Sequence, residues 1–144
     1  MPNYNEIFEK QGLLFLNDVS YELLTLEHNA DNVKTVVIDD LKTDLIENNA
    51  KLRVIFTRKV VHEPQALFNL VVSVGAIFTF TDQFVKNDIK RINFAEMLKA
   101  NDNRLFINII SRTSQLISQI TSSHGAVPLV TPPVFMDNYN GDVQ

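Results

Sequence analysis

Apolar and polar side chains alternate through roughly the first eighty residues, and beyond about residue 94 the apolar positions recur at helical spacing. Lys51 to Val61 carries the cleanest alternation, with Leu52, Val54, Phe56 and Val60 on one face and Arg53, Thr57 and Lys59 on the other. Leu13 to Glu27 is rich in Leu, Val and Tyr, with Asp18, Ser20 and Glu22 sharing one parity. Val33 to Ile46 opens with β-branched residues, and its alternation slips near Asp39-Asp40, which predicts a β-bulge there. Glu47-Asn48-Asn49-Ala50 and His62-Glu63-Pro64-Gln65 predict turns. Ala66 to Thr81 is apolar at every even position from Ala66 to Phe80 and partly apolar at the odd ones (Leu67, Val71, Ile77). That pattern predicts a central strand covered on both sides, and Gly75 within it predicts a close backbone approach or a bulge. Short connections make the sheet antiparallel.

The second half changes character. Lys86 to Asn93 is polar and predicts a linker, Phe94 to Lys99 a short amphipathic helix, and Asn101-Asp102-Asn103 supplies capping side chains for a longer one. In that helix Phe106, Ile109, Ile110, Leu116, Ile117 and Ile120 recur at helical spacing, and Gly125 stops it. Pro128, Pro132 and Pro133 then impose an extended segment, in which Val134-Phe135-Met136 is an apolar island. Between Leu105 and Ser123 the only charged residue is Arg112; Ser, Thr, Asn and Gln fill the polar positions. A water-facing helix surface usually carries several Lys and Glu. The pattern therefore points to contact with a second surface, such as another subunit, through Ile109, Arg112, Leu116 and Gln119.

The whole is expected to be one α+β domain over residues 1–144, with strands over about 13–81, helices over about 94–124 and an extended tail over 126–144. Length supports this: 144 residues, 45% of them apolar, suffice for one core. A formal net charge of -4 argues against a nucleic-acid surface, which needs a basic patch. There is no cysteine, hence no disulfide framework and no thiol nucleophile. No apolar run reaches bilayer-spanning length, and Met1 to Lys10 lacks the apolar region of a secretory signal, so a cytoplasmic protein is the expectation. The three histidines, His28, His62 and His124, fall at predicted turns or element ends and read as surface residues without metal-ligand spacing. Asp39 and Asp40 are adjacent, so on a strand they point to opposite faces and form no catalytic dyad; solvated strand ends are the expectation. Neither a phosphate loop nor a dinucleotide fingerprint is present. No enzyme, metal or cofactor is expected. What the sequence offers is adaptable apolar surface at its margins: Phe8, Phe15 and the Val134-Phe135-Met136 island.

Four motifs, in order, resemble the SecB export-chaperone family. They are Phe15 to Glu22, similar to the family's opening strand; Val74 to Phe78, similar to its Gly-Gly-Ile-Phe in the fourth strand; Leu105-Phe106 with a helix ending at Gly125; and the extended run Pro128 to Phe135. The resemblance spans about residues 7–139. It implies a four-stranded antiparallel sheet with a short helix and one long C-terminal helix on one face. It also implies a homo-oligomer, a dimer of dimers with long helices at the contact, that holds unfolded or preprotein polypeptides without ATP. The residues in positions comparable to the client grooves are Phe8, Phe15, Val134, Phe135 and Met136. Docking on the SecA motor is implied through Asp18 and Glu22, although Val71 stands where the family has a further acid. The C-terminal helix is abbreviated, since Met136 to Gly141 is too short and too rich in Asn and Gly. Alternatives are a SecB-like fold serving one dedicated folded or antitoxin partner, a structural protein whose sheet binds one folded partner, and an enzyme of unassigned chemistry.

Overall fold

A computed structural model describes residues 7–24, 34–63, 67–82, 92–99, 104–123 and 128–136. Among the described residues, four long strands, β1 (Phe8–Leu23), β2 (Lys34–Ile46), β3 (Lys51–Glu63) and β4 (Phe68–Phe80), precede two helices, α1 (Phe94–Lys99) and α2 (Arg104–Ser123). The sheet order is β1-β4-β3-β2, and every pairing is antiparallel. The fold is thus α+β, as the alternation and short connections predict, with β4 central. Residues 86–91 of the expected polar linker, the caps before α2 and the Gly125 stop lie outside the described residues.

Alternation decides which face each strand buries. Leu52, Val54, Phe56 and Val60 of β3 and Leu70, Val72, Val74, Ala76, Phe78 and Phe80 of β4 are all buried, and both helices pack on this side. Phe94 of α1 meets Phe80 at a ring separation of 5.5 Å, and Phe106 of α2 meets Phe56 edge-on at 5.8 Å. Ile109, Ile110 and Ile117 complete the α2 stripe. Asn93 caps α1 by accepting the Glu96 amide at 3.2 Å. Thr113 and Thr121 also face the sheet, each donating its hydroxyl to the carbonyl four residues back, at 2.9 and 2.8 Å. The turn between β2 and β3 holds Glu47, Asn48 and Asn49 at positive φ, where Asn is tolerated best among residues with a side chain.

The irregularity falls on a different strand from the expected one. The β2–β3 register runs without a shift from Lys34↔Glu63 to Ile46↔Lys51. The slip in apolar alternation at Asp39 is a buried carboxylate on the apolar face, and the strand itself is regular. Both register shifts are in β1: one between Phe8 and Gly12, and a bulge where Leu16 pairs with Val74 but Asp18 with Ser73, leaving Asn17 out of the ladder. The consequence is visible in the side chains. Before the bulge Leu14 and Leu16 face the helices; after it Val19, Tyr21 and Leu23 do, while Asp18, Ser20 and Glu22 turn to the other face. Without the extra residue the chain would mix leucines and acids on each face. Asn17 donates to Ser73 Oγ at 3.1 Å, and Thr57 does the same at 3.1 Å from β3.

His62 departs from its expected place at a surface turn. It lies inside β3, nearly fully buried, edge-on to Phe68 with ring centroids 4.7 Å apart. Its Nδ1 sits 2.9 Å from the Phe68 carbonyl, and burial pushes its pKa below the usual 6.5, with the backbone contact opposing.

Candidate functional site

The helix-side face of the sheet ends in two margins of different construction. At the β1 margin, Leu14, Leu16, Val19 and Leu23 all lie on the helix side, yet they are between 38% and 57% exposed. Leu13 on the other face is 62% exposed. One edge of β1 pairs with β4; the other has no neighbour in the sheet among the described residues. An unpaired edge flanked by apolar side chains is a template for another polypeptide. Phe15 lies across the opposite face, its ring over Gly75 where a Cβ would collide with it. The close approach expected at Gly75 is therefore made by an aromatic side chain. An open depression of about 600 Å³ beside Phe15 is bordered by Asn17, Lys42, Thr43, Asp44, Arg53 and Ile55. Arg53 and Asp44 pair within it at 2.9 Å.

At the β2 margin the face is closed by the chain itself. Residues 128–136 run between α2 and the β2–β3 pair, bending at residues 133 and 134, and they are anchored on one buried ion pair. Arg58 and Asp39 stand directly opposite in the β2–β3 register, both on the apolar face. Arg58 is fully buried. Its Nε donates to Asp39 Oδ1 at 2.8 Å and its Nη2 to Asp39 Oδ2 at 2.7 Å, the parallel fork that a guanidinium offers a carboxylate. The remaining donors reach outward from the sheet. Nη1 meets Ser114 Oγ of α2 at 3.1 Å, Thr131 Oγ1 at 2.9 Å and the Pro132 carbonyl at 2.7 Å, and Nη2 meets the Val134 carbonyl at 2.9 Å. Asp39 Oδ2 in turn accepts the Met136 amide at 2.7 Å. The other end of the segment is fixed where the Leu129 amide donates to Thr121 Oγ1 at 2.8 Å. Phe135 packs against Phe56 and Phe106 at 6.1 Å from each, and Lys99 Nζ lies 4.9 Å from its ring centre. A buried charge is tolerated only when paired and fully hydrogen-bonded, and this one is.

Several expected site residues are relocated. Phe8 is buried, stacked on Phe80 and tilted against Phe78 at 5.3 Å from each, because β1 begins earlier than its alternation suggests; it is core and lines no surface. Ile109 is fully buried against the sheet, so it cannot join an interface made by the outer side of α2. Arg112 and Gln119 are on that outer side and exposed, Leu116 is half-buried and packs against the core, and Ile107 is exposed on a different side of the helix. The uncharged polar residues of α2 are partly explained within the chain, since Ser114 and Thr121 bond residues 128–136. Of the Val134-Phe135-Met136 island, Val134 is exposed and the other two are half-buried. Asp18 and Glu22 are exposed on the helix-free face of β1 with Ser20 between them, and Val71 stands opposite that serine. Asp39 lies mid-strand and buried, which overturns its reading as a solvated strand end. Among the described residues, no cluster of three or more His, Asp or Glu suited to a metal ion occurs, and no helix is long and apolar enough to cross a membrane.

No protein-family model matches the chain, and no curated protein sequence does. Among solved structures it is similar to the SecB-like chaperone Rv1957 of Mycobacterium tuberculosis, solved in complex with a ChAD peptide from the Rv1956 HigA1 antitoxin. The TM-score is 0.63 at 10% identity, over 83% of this chain and 85% of that one. It is also similar to a protein of unknown function from Streptococcus agalactiae, with a TM-score of 0.43 at 12% identity over 85% of this chain and 97% of that one. The chain has the fold of a SecB-like chaperone, with very little sequence in common.

Proposed function

We propose that this protein is a SecB-like binding module that holds extended apolar segments of polypeptide without a nucleotide. The observation that carries the reading is the β1 margin: an unpaired strand edge lined by Leu14, Leu16, Val19 and Leu23, with Leu13 and Phe15 on its back. Backbone groups on that edge would bind any extended chain, and the leucines would supply apolar area with little demand on sequence. The fold shared with a chaperone that was solved with a peptide bound supports the same reading.

The working form in this proposal is a homo-oligomer, assembled as a dimer of dimers in the cytoplasm. The outer side of α2, with Arg112, Gln119 and the flanking Leu116, meets a sister subunit. Asp18 and Glu22 would form an acidic contact for a cationic partner such as SecA; loss of SecA binding in the Asp18→Asn, Glu22→Gln double variant checks that role. A denatured, reduced model protein diluted into buffer should aggregate less in the presence of the chain, with no nucleotide added, and light scattering should report a species larger than one chain. A monomer that leaves aggregation unchanged refutes the proposal. The second reading is a module dedicated to one partner. It is favoured by the antitoxin peptide in the similar mycobacterial structure, and it predicts one co-purifying protein together with failure of the general aggregation assay.

A further inference from the structure

Hydrogen bonds at the two ends of β1 fix which of its backbone groups point away from the sheet. The Leu24 amide donates to the Leu67 carbonyl at 2.8 Å and the Thr81 amide to the Ile7 carbonyl at 2.8 Å, whereas the Phe80 amide turns the other way, to the Ala50 carbonyl at 3.0 Å. In an antiparallel ladder the N–H and C=O of one residue point to the same side, so odd-numbered residues of β4 address β1 and even-numbered ones address β3. The register then assigns β1. Leu13, Phe15, Asp18, Ser20 and Glu22 turn their backbone groups toward β4; Leu14, Leu16, Val19, Tyr21 and Leu23 turn theirs away. The second set also has its side chains on the helix side, and Val19 and Leu23 within it are 38% and 52% exposed.

The same register divides the edge. Gly12 to Leu16 is one regular run, bounded by the shift after Phe8 and by the bulge at Asn17, and Asp18 to Leu23 is the other. A bulge bends its strand and disrupts the ladder locally, so an added strand pairs with one run and not straight through both. The runs differ in chemistry. The first is apolar on both faces, through Leu13 and Phe15 on one and Leu14 and Leu16 on the other. The second is apolar on the helix side alone, and its other face carries Asp18, Ser20 and Glu22, all exposed. Across the ladder these three meet Ser73, Val71 and Asn69, none of them charged. Among the described residues neither acid forms an ion pair.

We infer that Asp18 to Leu23 is a seat for one short strand of a partner polypeptide in a fixed parity, with apolar side chains beside Val19, Tyr21 and Leu23 and cationic ones beside Asp18 and Glu22. The inference rests on the polypeptide-binding function proposed above and adds which segments the site selects. In the added strand, the residues that exchange hydrogen bonds with Val19 and Leu23 place their side chains on the helix side, where the exposed apolar surface lies. The residues between them stand opposite Asp18, Ser20 and Glu22 in non-hydrogen-bonded positions, where facing side chains come closest, about 4.5–5.5 Å between Cβ atoms. A Lys or Arg there gains a carboxylate, and a Glu is repelled. Asp18 and Glu22 lie about 13 Å apart along the strand, so two cations at the same spacing meet both. The site thus accepts a strand of alternating cationic and apolar residues and rejects the same alternation made with acids.

The probe is a fluorescein-labelled hexapeptide of alternating lysine and leucine, read by anisotropy on the unmodified protein. Exchanging its lysines for glutamates should weaken binding by about tenfold or more, as should gathering the lysines at one end so that the alternation is lost. N-methylation separates register from simple charge attraction. Methylating the central leucine amide removes a hydrogen bond to β1 and should cost about tenfold; methylating the neighbouring lysine amide, which points away from β1, should cost less than about threefold. In the Asp18→Asn, Glu22→Gln variant the lysine and glutamate peptides should bind alike. Equal binding of the two peptides to the unmodified protein overturns the inference, as does an N-methyl effect of the opposite parity. So does protection of the Val19 and Leu23 amides from hydrogen exchange before any peptide is added, which would mean that a second copy of the chain already fills the edge. If denatured client protects the β1 amides and aggregation is suppressed while the lysine and glutamate peptides bind alike, the β1 reading stands and the selection falls. If none of these occurs, both fall.

Discussion

Along β2 the apolar face of the sheet is closed by α1 and by residues 128–136, fastened to a buried arginine; along β1 the same face ends in exposed leucines beside an unpaired edge. The two margins are chemically alike in their strand side chains. They differ in what covers them. At β2 the chain supplies its own cover and holds it through a buried charge: residues 128–136 join no strand ladder and are anchored through the side chains of Arg58, Asp39, Ser114 and Thr121. At β1 no such anchor occurs on the apolar side among the described residues. The bulge at Asn17 keeps Leu14, Leu16, Val19 and Leu23 on one face and sends Asp18 and Glu22 to the other, which concentrates apolar surface where the chain leaves it uncovered.

The sharpest way to break this contrast is at Arg58. Arg58→Met leaves Asp39 buried without its partner and should destabilise the fold by about 3–5 kcal/mol in a urea titration. Replacing both partners by apolar residues of similar size should recover much of that loss. A small effect of the single change would mean that the pair is open to water and that residues 128–136 are held by other contacts. Phe135→Ala tests the apolar part of the hold on this segment. Its ring is half-buried, so a loss of about 1–2 kcal/mol is expected, below that of a fully buried phenylalanine. At the bare margin the expectation reverses. Leu16→Lys should change stability by no more than about 0.5 kcal/mol, since the side chain is already exposed. The same change should sharply reduce suppression of aggregation. A large stability loss with intact binding would invert the roles assigned to the margins.

The smallest effect concerns pH. Burial holds His62 neutral below its usual pKa of 6.5, so the unfolded chain takes up a proton before the folded one does. Stability contributed by this residue is complete above about 6.5 and falls as the pH drops below that value, levelling off once the folded form also protonates. His62→Gln should flatten that part of the profile of unfolding midpoint against pH. An unchanged slope would place the dependence on other groups.

Much of this architecture is legible in the sequence. The even-numbered apolar positions of β3 and β4 specify their buried face, and Glu47-Asn48-Asn49 marks the hairpin because those residues sit at positive φ. The β1 bulge is written there too, in the change of apolar parity from Leu14 and Leu16 to Val19, Tyr21 and Leu23, although Asp18, Ser20 and Glu22 draw attention to the regular half alone. The Arg58–Asp39 pair is harder to read. A charged residue on a strand is ordinarily solvated, and only the place of Arg58 within the apolar series Leu52, Val54, Phe56 and Val60 hints otherwise. Its partner sits across the β2–β3 hairpin, and the slip at Asp39 is equally well described as a bulge until the register is known. Phe8 was out of reach because the pairing that buries it, with Phe80, joins opposite ends of the sheet's sequence.

The central claim is that the β1 margin receives extended polypeptide. Hydrogen exchange of the β1 amides, with and without a denatured client, tests it most directly. The account predicts that amides from Leu13 to Leu23 on the unpaired edge gain protection when client is present and that Leu16→Lys abolishes the gain. Protection that appears elsewhere while these amides exchange unchanged would contradict it.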